Sequence, residues 1–522
     1  MEAAAAATPT TMTSLNDGTT QEYVQESPSW HKNLNDGGEV GLVFNLNENQ
    51  ADVHAIMAQK LPKYVIIQSN LNNVYVHLYT GNPSVPNALR YTGDYSFDLD
   101  TRFEVVPATT GTGLIHIRCL RNNKYWANFG TGNNWVAAMV DKPQENQSDT
   151  HCTLFQPIFV NSDDNRTIKL RHVGTGSYVR LFYGGGHYDH ALRLWPDDDA
   201  KDVCTFIEWE SVVVLPDLIR IKGVNIGNHL KVFEDGFMDF NNQVDNTSYF
   251  DYEVSPSRDG GIRLKSSRFG KYWMDMDTSD WVLLQKVSTT VHDTNTVFLP
   301  TIIGGNRIIM RSLKNGLFCN RHSSDGKNNC LATLNTWPDD WSHMDIEEPV
   351  ISRKINDVIY HLTDARIYDE KTVALISDDS SNKTKNPLVS ELNLKTTVSN
   401  SASWSTSVTL GLGVKMTITA GVPDIASGTL EISGEVTKSS EWGGTQTETI
   451  EVGTVKTITV ASMSRLKASL MAKRVSYDIP FSYTQRDILK NGSTKVTEKN
   501  DGLFTGHNGY DYRYEVVPLP LE

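Results

Sequence analysis

Asn128, Asn133, Asn134 and Trp135 fall within eight residues of one another. An indole offers a flat apolar face, and an amide side chain serves a hydroxyl as donor and acceptor at once. Together they have the chemistry to hold a sugar ring. The same residue types also suit a tight turn beside a packed ring, because Asn is a turn former. Trp281 stands where a repeat would place a second Trp135, so a structural Trp is an equal alternative.

Covalent chemistry finds no support. The chain has no nucleophile elbow, HExxH, P-loop or dinucleotide fingerprint, so neither an enzyme nor a cofactor is expected. Asp197-Asp198-Asp199 and Asp339-Asp340 lack the alternating ligand spacing of a calcium loop and read as solvated turns. His187 and His190 form the one tight pair among scattered histidines, and no metal site is expected.

A second chemically suggestive stretch is 404 to 442. Apolar residues occupy even positions on both sides of Pro423, as Leu410, Leu412, Val414, Met416 and Ile418, then Leu430, Ile432 and Val436. Odd positions are small or polar, among them Lys415, Thr417, Thr429, Glu431 and Glu435. Pairing residues whose numbers sum to 846 sets Trp404 against Trp442, Leu410 against Val436 and Met416 against Leu430. It also sets Thr417 against Thr429 and Lys415 against Glu431. Such partners predict a hairpin with one apolar and one hydrated face. A strand pair in a membrane barrel needs those two faces. One layer of a soluble β-sandwich, with even positions inward, has the same pattern.

The elements that position these groups follow from the rest of the chain. At 522 residues about three domains are expected. A net charge of -14 and a pI near 5.5 argue against nucleic acid. No run of 18 apolar residues suggests a spanning helix. The first residues do not read as an export signal, so the five cysteines are expected to be free thiols in a cytoplasmic protein, with the nucleus also open to it. Residues 1–60 look like a flexible tail.

Between them and residue 350 the sequence repeats twice over. Lys124-Tyr125-Trp126 recurs as Lys271-Tyr272-Trp273, and Trp195-Pro196-Asp197-Asp198 as Trp337-Pro338-Asp339-Asp340. Within each half, an apolar residue, then Lys, Arg or Gln, then a ring seven positions later occurs three times: Gln68 with Tyr75, Arg118 with Tyr125 and Arg171 with Tyr178. The second half gives Lys222 with His229, Lys265 with Tyr272 and Arg311 with Phe318. Asn or Gly lies between the members of each pair, as in a hairpin. Three hairpin units per half predict two tandem β-trefoils, at 61–213 and 214–350.

The stretches GLIHIRCLRNNKYW (113–126) and GIRLKSSRFGKYW (261–273) resemble amaranthin, a plant lectin of two β-trefoils. The resemblance implies binding of N-acetylgalactosamine-containing glycans at a contact between subunits, hence a homo-oligomer. It places the sugar-contacting loop after Trp126, with Asn128, Asn133, Asn134 and Trp135; Asn133-Asn134 replace the family's polar and aromatic pair.

From 351 to 522, long Ser/Thr-rich alternating stretches predict an elongated all-β module, with a short helical turn near 464–472. Its layout resembles the pore-forming module of aerolysin-type toxins. That resemblance implies assembly on glycan-bearing membranes and release of the hairpin into a β-barrel. Leu410, Leu412, Val414, Met416, Ile418, Leu430, Ile432 and Val436 would then face lipid, with Val422, Pro423 and Ile425 at the tip. Lys415, Thr417, Thr429, Glu431 and Glu435 would line the lumen. The alternative is a non-lytic plant stress or defence lectin whose last module serves structure or oligomerisation.

Overall fold

The computed structural model describes residues 61–93, 99–111, 113–130, 132, 134–160, 166–257, 261–290, 293–408, 410, 414, 416–434, 436–440 and 444–521. The chain divides into residues 1–48 and residues 49–522, and all described residues belong to the second unit. The expected tail over 1–60 lies outside the described residues.

The chain is all-β and builds two trefoils lobe by lobe. The first lobe holds β1 (Tyr64–Ser69), β2 (Tyr75–Tyr79), β3 (Ala88–Gly93) and β4 (Phe103–Pro107). The second holds β5 (Ile115–Cys119), β6 (Tyr125–Phe129), β7 (Trp135–Val140) and β8 (Phe155–Phe159). The third holds β9 (Thr167–His172), β10 (Ser177–Leu181), β11 (Leu192–Trp195) and β12 (Val203–Glu208). Outer strands of each lobe pair with each other and with the next lobe, so β1, β4, β5, β8, β9 and β12 close a ring. The middle strands form three hairpins, joined through β3, β7 and β11 into a cap.

The second trefoil repeats this plan. Its lobes are β13 (Leu218–Gly223), β14 (His229–Val232), β15 (Met238–Asn242) and β16 (Tyr252–Pro256), then β17 (Ile262–Ser266), β18 (Tyr272–Asp275), β19 (Val282–Lys286) and β20 (Phe298–Gly304). The last is β21 (Arg307–Ser312), β22 (Cys319–Ser324), β23 (Lys327–Thr333) and β24 (Met344–Glu347). Its six outer strands close a second ring.

The seven-residue spacing is the pairing of each lobe's first two strands. Gln68 faces Tyr75, Arg118 faces Tyr125, Arg171 faces Tyr178, Lys222 faces His229, Lys265 faces Tyr272, and Arg311 faces Phe318. Five residues after each first member comes left-handed backbone, at Asn73, Asn123, Gly176, Gly227, Gly270 and Gly316, with φ from 56° to 74°. Asn and Gly are the residues that adopt it at least cost. Trp126 and Trp273 fill the two barrels, with Phe103 edge-on at 5.1 Å and Tyr252 at 5.3 Å.

The last module holds β25 (Val350–Tyr360), β26 (Arg366–Asn382), β27 (Leu388–Asn393), β28 (Thr396–Ser405), β29 (Met416–Ala420) and β30 (Pro423–Ala426). Then come β31 (Thr429–Ile432), β32 (Val436–Ser440), β33 (Thr445–Val452), β34 (Val455–Val460), β35 (Ser464–Leu489) and β36 (Thr494–Leu519). β35 and β36 run 26 residues each, and at about 3.3 Å per residue each spans roughly 85 Å. The expected helical turn near 464–472 is absent: that stretch opens β35. Its helix-forming Leu466, Ala468, Leu470 and Met471 are paired with β26 on one side and β36 on the other.

Polar contacts tie the module to both trefoils. Arg366 reaches the Glu104 carboxylate at 3.2 Å, which Arg118 also holds at 2.6 Å. The Asn123 amide donates to the Asp364 carbonyl at 2.5 Å, and Lys499 meets Asp217 at 2.6 Å. Arg353, buried at the start of β25, lies 2.7 Å from Glu348 and 2.8 Å from Asp487.

Candidate functional site

The cap hairpin of β6 and β7 carries Asn128 opposite Val136, and Phe129 opposite Trp135. Trp135 is only 7% exposed. Tyr188 stacks on it at 4.8 Å and 15°, Phe182 meets it edge-on at 5.1 Å, and the Arg193 guanidinium lies 5.2 Å from it. Val85, Ala88, Ala137 and Ala191 complete the cluster. The expected sugar stacking on Trp135 does not fit this placement, because the ring already joins the three cap hairpins. Trp281 has the same position in the second trefoil, against Phe237, Cys330 and Ala332. Asn134 is a turn residue with φ 52°, and its carbonyl accepts from the Leu194 N–H at 2.7 Å. Asn128 is half-buried, and its Oδ1 has no hydrogen-bond partner among the described residues. Asn133 lies outside the described residues. The hairpin thus brings Asn128 and Asn134 together without an open ring between them. The most open rings among the described residues are elsewhere: Tyr183 is 48% exposed, Trp341 49% and Trp337 80%. Burial separates them from Trp135, and no local residue pattern carries that difference.

The stretch 404 to 442 does not form one long hairpin about Pro423. β29 and β32 pair at a number sum of 856, setting Met416 opposite Ser440 and Thr419 opposite Thr437. β30 and β31 pair at 855, setting Pro423 opposite Ile432, Asp424 opposite Glu431 and Ile425 opposite Leu430. Their turn is Ser427-Gly428, with φ of 54° and 84°, the left-handed pair a two-residue hairpin requires. The expected pairs Met416 with Leu430, Thr417 with Thr429, and Lys415 with Glu431 are therefore replaced. Trp404 sits opposite Phe504 on β36. Leu412, Lys415, Glu435 and Trp442 lie outside the described residues.

The segment is tucked against the module. β29 runs parallel to β25, and Met416, Ile418 and Ala420 are buried with Ile425 beside Tyr477, Phe481 and Phe504. Val422 and Leu430 are partly buried against that core, Pro423 is buried, and Val414 and Thr417 are half-buried. Ile432 is 44% exposed, and Thr429 and Glu431 are exposed. Leu410 leaves the hairpin altogether and packs in the second trefoil's core cluster with Val213 and Leu215. Val436 lies on β32 opposite Ala420.

Three side chains clamp alternate carbonyls of the tuck. The Tyr360 hydroxyl donates to Gly421 O at 2.8 Å, the Tyr477 hydroxyl to Pro423 O at 2.9 Å, and the Asn508 amide to Ile425 O at 3.0 Å. Trp404 Nε1 donates in turn to the Tyr360 oxygen at 2.9 Å. Burial raises the pKa of both tyrosines, so they remain donors. Asp424, across from Glu431, has its pKa raised by partial burial and by the Glu431 and Glu448 carboxylates, against the Ile425 N–H.

Residues 59–208 match the Agglutinin domain family. Natterin-3 of Thalassophryne nattereri is 27% identical over 161 residues, 31% of this chain and 44% of that protein. The chain spans less than half the length of the curated relatives it matches. Among solved structures, the hemolytic lectin CEL-III overlays 86% of this chain and 91% of its own, at 10% identity and a TM-score of 0.32. An aerolysin-like protein of Bombina maxima overlays 32% of this chain and 99% of its own, at 12% identity and a TM-score of 0.23. Both scores are below 0.5, and the fold rests on the pairing of the chain's own strands.

Three outcomes follow. Trp135→Ala empties the cap and lowers stability by about 3–5 kcal/mol, read as a lower urea midpoint; an unmoved midpoint would contradict the packing role. Tyr477→Phe leaves a buried carbonyl unpaired, worth about 1–3 kcal/mol, so limited proteolysis within 421–434 quickens at least about fivefold; unchanged cleavage argues against the clamp. The raised Asp424 pKa means the tuck loses stability as pH climbs from the ordinary carboxylate range through the raised value. Asp424→Asn then slows cleavage at pH 7.5, and its advantage shrinks towards about pH 4; a constant advantage at both pH values rules out titration as its cause.

Proposed function

We propose that this chain is a non-enzymatic lectin that carries a membrane-inserting hairpin. The trefoils dock it on glycoconjugates, with N-acetylgalactosamine-type glycans the first class to test. Copies then assemble on the surface, and the 404–442 segment leaves its tuck to form a transmembrane β-barrel. Until then the protein is held as a water-soluble form in the cytoplasm. The Agglutinin match over 59–208 supports the glycan half.

One observation carries the membrane half: the strands that flank the tuck are already paired. β28 and β33 run antiparallel with residue numbers summing to 848, from Thr396 opposite Val452 to Ser403 opposite Thr445. Continuing that register inward sets Leu412 against Val436, Met416 against Ile432 and Ile418 against Leu430. The turn falls at Pro423-Asp424-Ile425. All even apolar residues then share one face, while Thr417 meets Glu431 and Thr419 meets Thr429 on the other. A bilayer-crossing hairpin needs that separation. The tucked inner hairpin pairs at an odd sum, so it sets odd Ile425 beside even Leu430 and leaves Ile432 in solvent. A one-residue change of register exchanges the faces of a strand. The tuck therefore has to break its own ladders before the stem can extend.

Two cysteine pairs distinguish the states. The native thiols are buried, and burial pushes Cys119 and Cys204 up to about 12, so they stay protonated and unreactive. Thr419 and Thr437 face each other with hydroxyls 3.0 Å apart. Thr419→Cys/Thr437→Cys should lock the tuck and abolish dye release from glycan-bearing liposomes until a reductant is added. Thr417→Cys/Glu431→Cys should cross-link only after membrane contact. Equal release from locked and reduced protein, or cross-linking of the second pair in solution, is the result that overturns the proposal.

A further inference from the structure

Trp337 and Trp341 stand in the connection between β23 and β24, 80% and 49% exposed. Neither belongs to the second trefoil's core cluster or to the cluster around Trp281. The first trefoil supplies the comparison, because Trp195-Pro196-Asp197-Asp198 repeats Trp337-Pro338-Asp339-Asp340. Trp195 lies at the end of β11, half-buried, with the Arg180 and Arg193 guanidiniums 5.5 and 5.0 Å from its ring. Its counterpart Trp337 is open to water.

The loop that carries the two indoles is fixed without them. Asp339 Oδ1 accepts from the Trp341 N–H at 2.9 Å, and Oδ2 accepts from the Asn335 amide at 2.8 Å. The Ser342 hydroxyl donates to Asp339 O at 2.6 Å. The Arg321 N–H donates to Trp341 O at 3.1 Å, and the Phe318 N–H to Asn335 O at 3.0 Å. The Arg321 guanidinium lies 3.9 Å from the Trp341 ring centre. Asn335, Thr336 and Asp340 are exposed around the rings and offer an amide, a hydroxyl and a carboxylate.

We infer that this loop is a separate saccharide-binding site, in which a neutral sugar ring stacks on Trp337 or Trp341 and its hydroxyls meet Asn335 and Asp340. The inference deepens the glycan-binding reading above and rests on it. A rigid loop with exposed indoles keeps the ordering cost of binding low. Carboxylates beside the rings suit hydroxyl donors. The same carboxylates oppose a lipid surface, since anionic headgroups attract basic clusters rather than acidic ones.

The test uses the full chain on arrayed neutral oligosaccharides ending in galactose or N-acetylgalactosamine, beside sugar-free phosphatidylcholine vesicles. Trp337→Ala/Trp341→Ala should weaken binding to at least one of the glycans about tenfold or more. Asn128→Ala/Asn134→Ala should retain that binding, and the bound glycan should shield an exposed Trp from acrylamide quenching. Trp337 is 80% exposed, so the urea midpoint of Trp337→Ala alone should match the native one, and Trp337→Tyr should recover part of the affinity. Glycan binding lost in the Asn variant but untouched in the Trp variant overturns this site and leaves the lectin reading standing. Loss confined to vesicle binding overturns it in favour of a lipid contact. No glycan binding by the unaltered chain overturns both readings.

Discussion

The tucked segment is joined to its module by a short parallel ladder with β25, by buried apolar residues, and by a row of its neighbours' side chains. Between Gly421 and Ile425, alternate carbonyls receive their bonds from Tyr360, Tyr477 and Asn508. The backbone ladders of the segment are short, five residue pairs between β29 and β32 and four between β30 and β31. By contrast, β35 and β36 pair over nearly their full length. A ladder spreads its energy over many bonds, whereas a clamp concentrates it in a few. Each net bond contributes about 1 kcal/mol in water, so the clamp adds modestly to the burial of Met416, Ile418, Ala420 and Ile425.

The frame around the tuck is fixed by buried charge. Arg353 is bracketed by Glu348 and Asp487, and Glu104 is shared by Arg118 and Arg366. Burial raises the pKa of Glu348, and the Arg353 cation beside it works against that shift. Such groups add little net stability compared with apolar packing, but removing one partner costs about 3–5 kcal/mol. They therefore specify how each trefoil meets the module. Leu410, between β28 and β29, adds an apolar tie, since it packs in the second trefoil's core cluster. Any release of the tuck has to withdraw Leu410, which couples the hairpin to the trefoil that precedes the module.

Much of the fold was legible because its repeats are local. Gln68 with Tyr75 and its five counterparts are read from a seven-residue offset in sequence, and the structure makes each pair a contact across one turn. The tuck was not legible for the opposite reason. Even positions carry the apolar residues in either register, so periodicity alone cannot select one. The expected number sum of 846 lies near the 848 of β28 and β33, outside the tuck. The short turn at Ser427-Gly428 wins locally because Gly428 takes φ 84° without a side-chain penalty. Trp135 was ambiguous in sequence because a sugar platform and a packing ring need the same indole. Only the positions of Tyr188, Phe182 and Arg193 decide between them.

The clamp itself depends on residues that touch neither the tuck nor any ligand. Tyr477 lies opposite Gly506, and Phe481 opposite Gly502, across the β35–β36 pair. A Cβ at Gly506 would come within 2.3 Å of the Tyr477 ring, and one at Gly502 within 2.4 Å of the Phe481 ring. Both rings therefore lie over bare backbone, and there is no room for even a methyl group. Because the Tyr477 hydroxyl holds Pro423 O, the missing side chain at Gly506 sets where the hairpin is gripped. Pro480, between the two rings, marks where β35 passes from pairing with β25 to pairing with β26. A residue without an N–H fits such a handover at little cost. Glycine, proline and two aromatics on the long strands thus align the donor that restrains a segment more than 50 residues upstream.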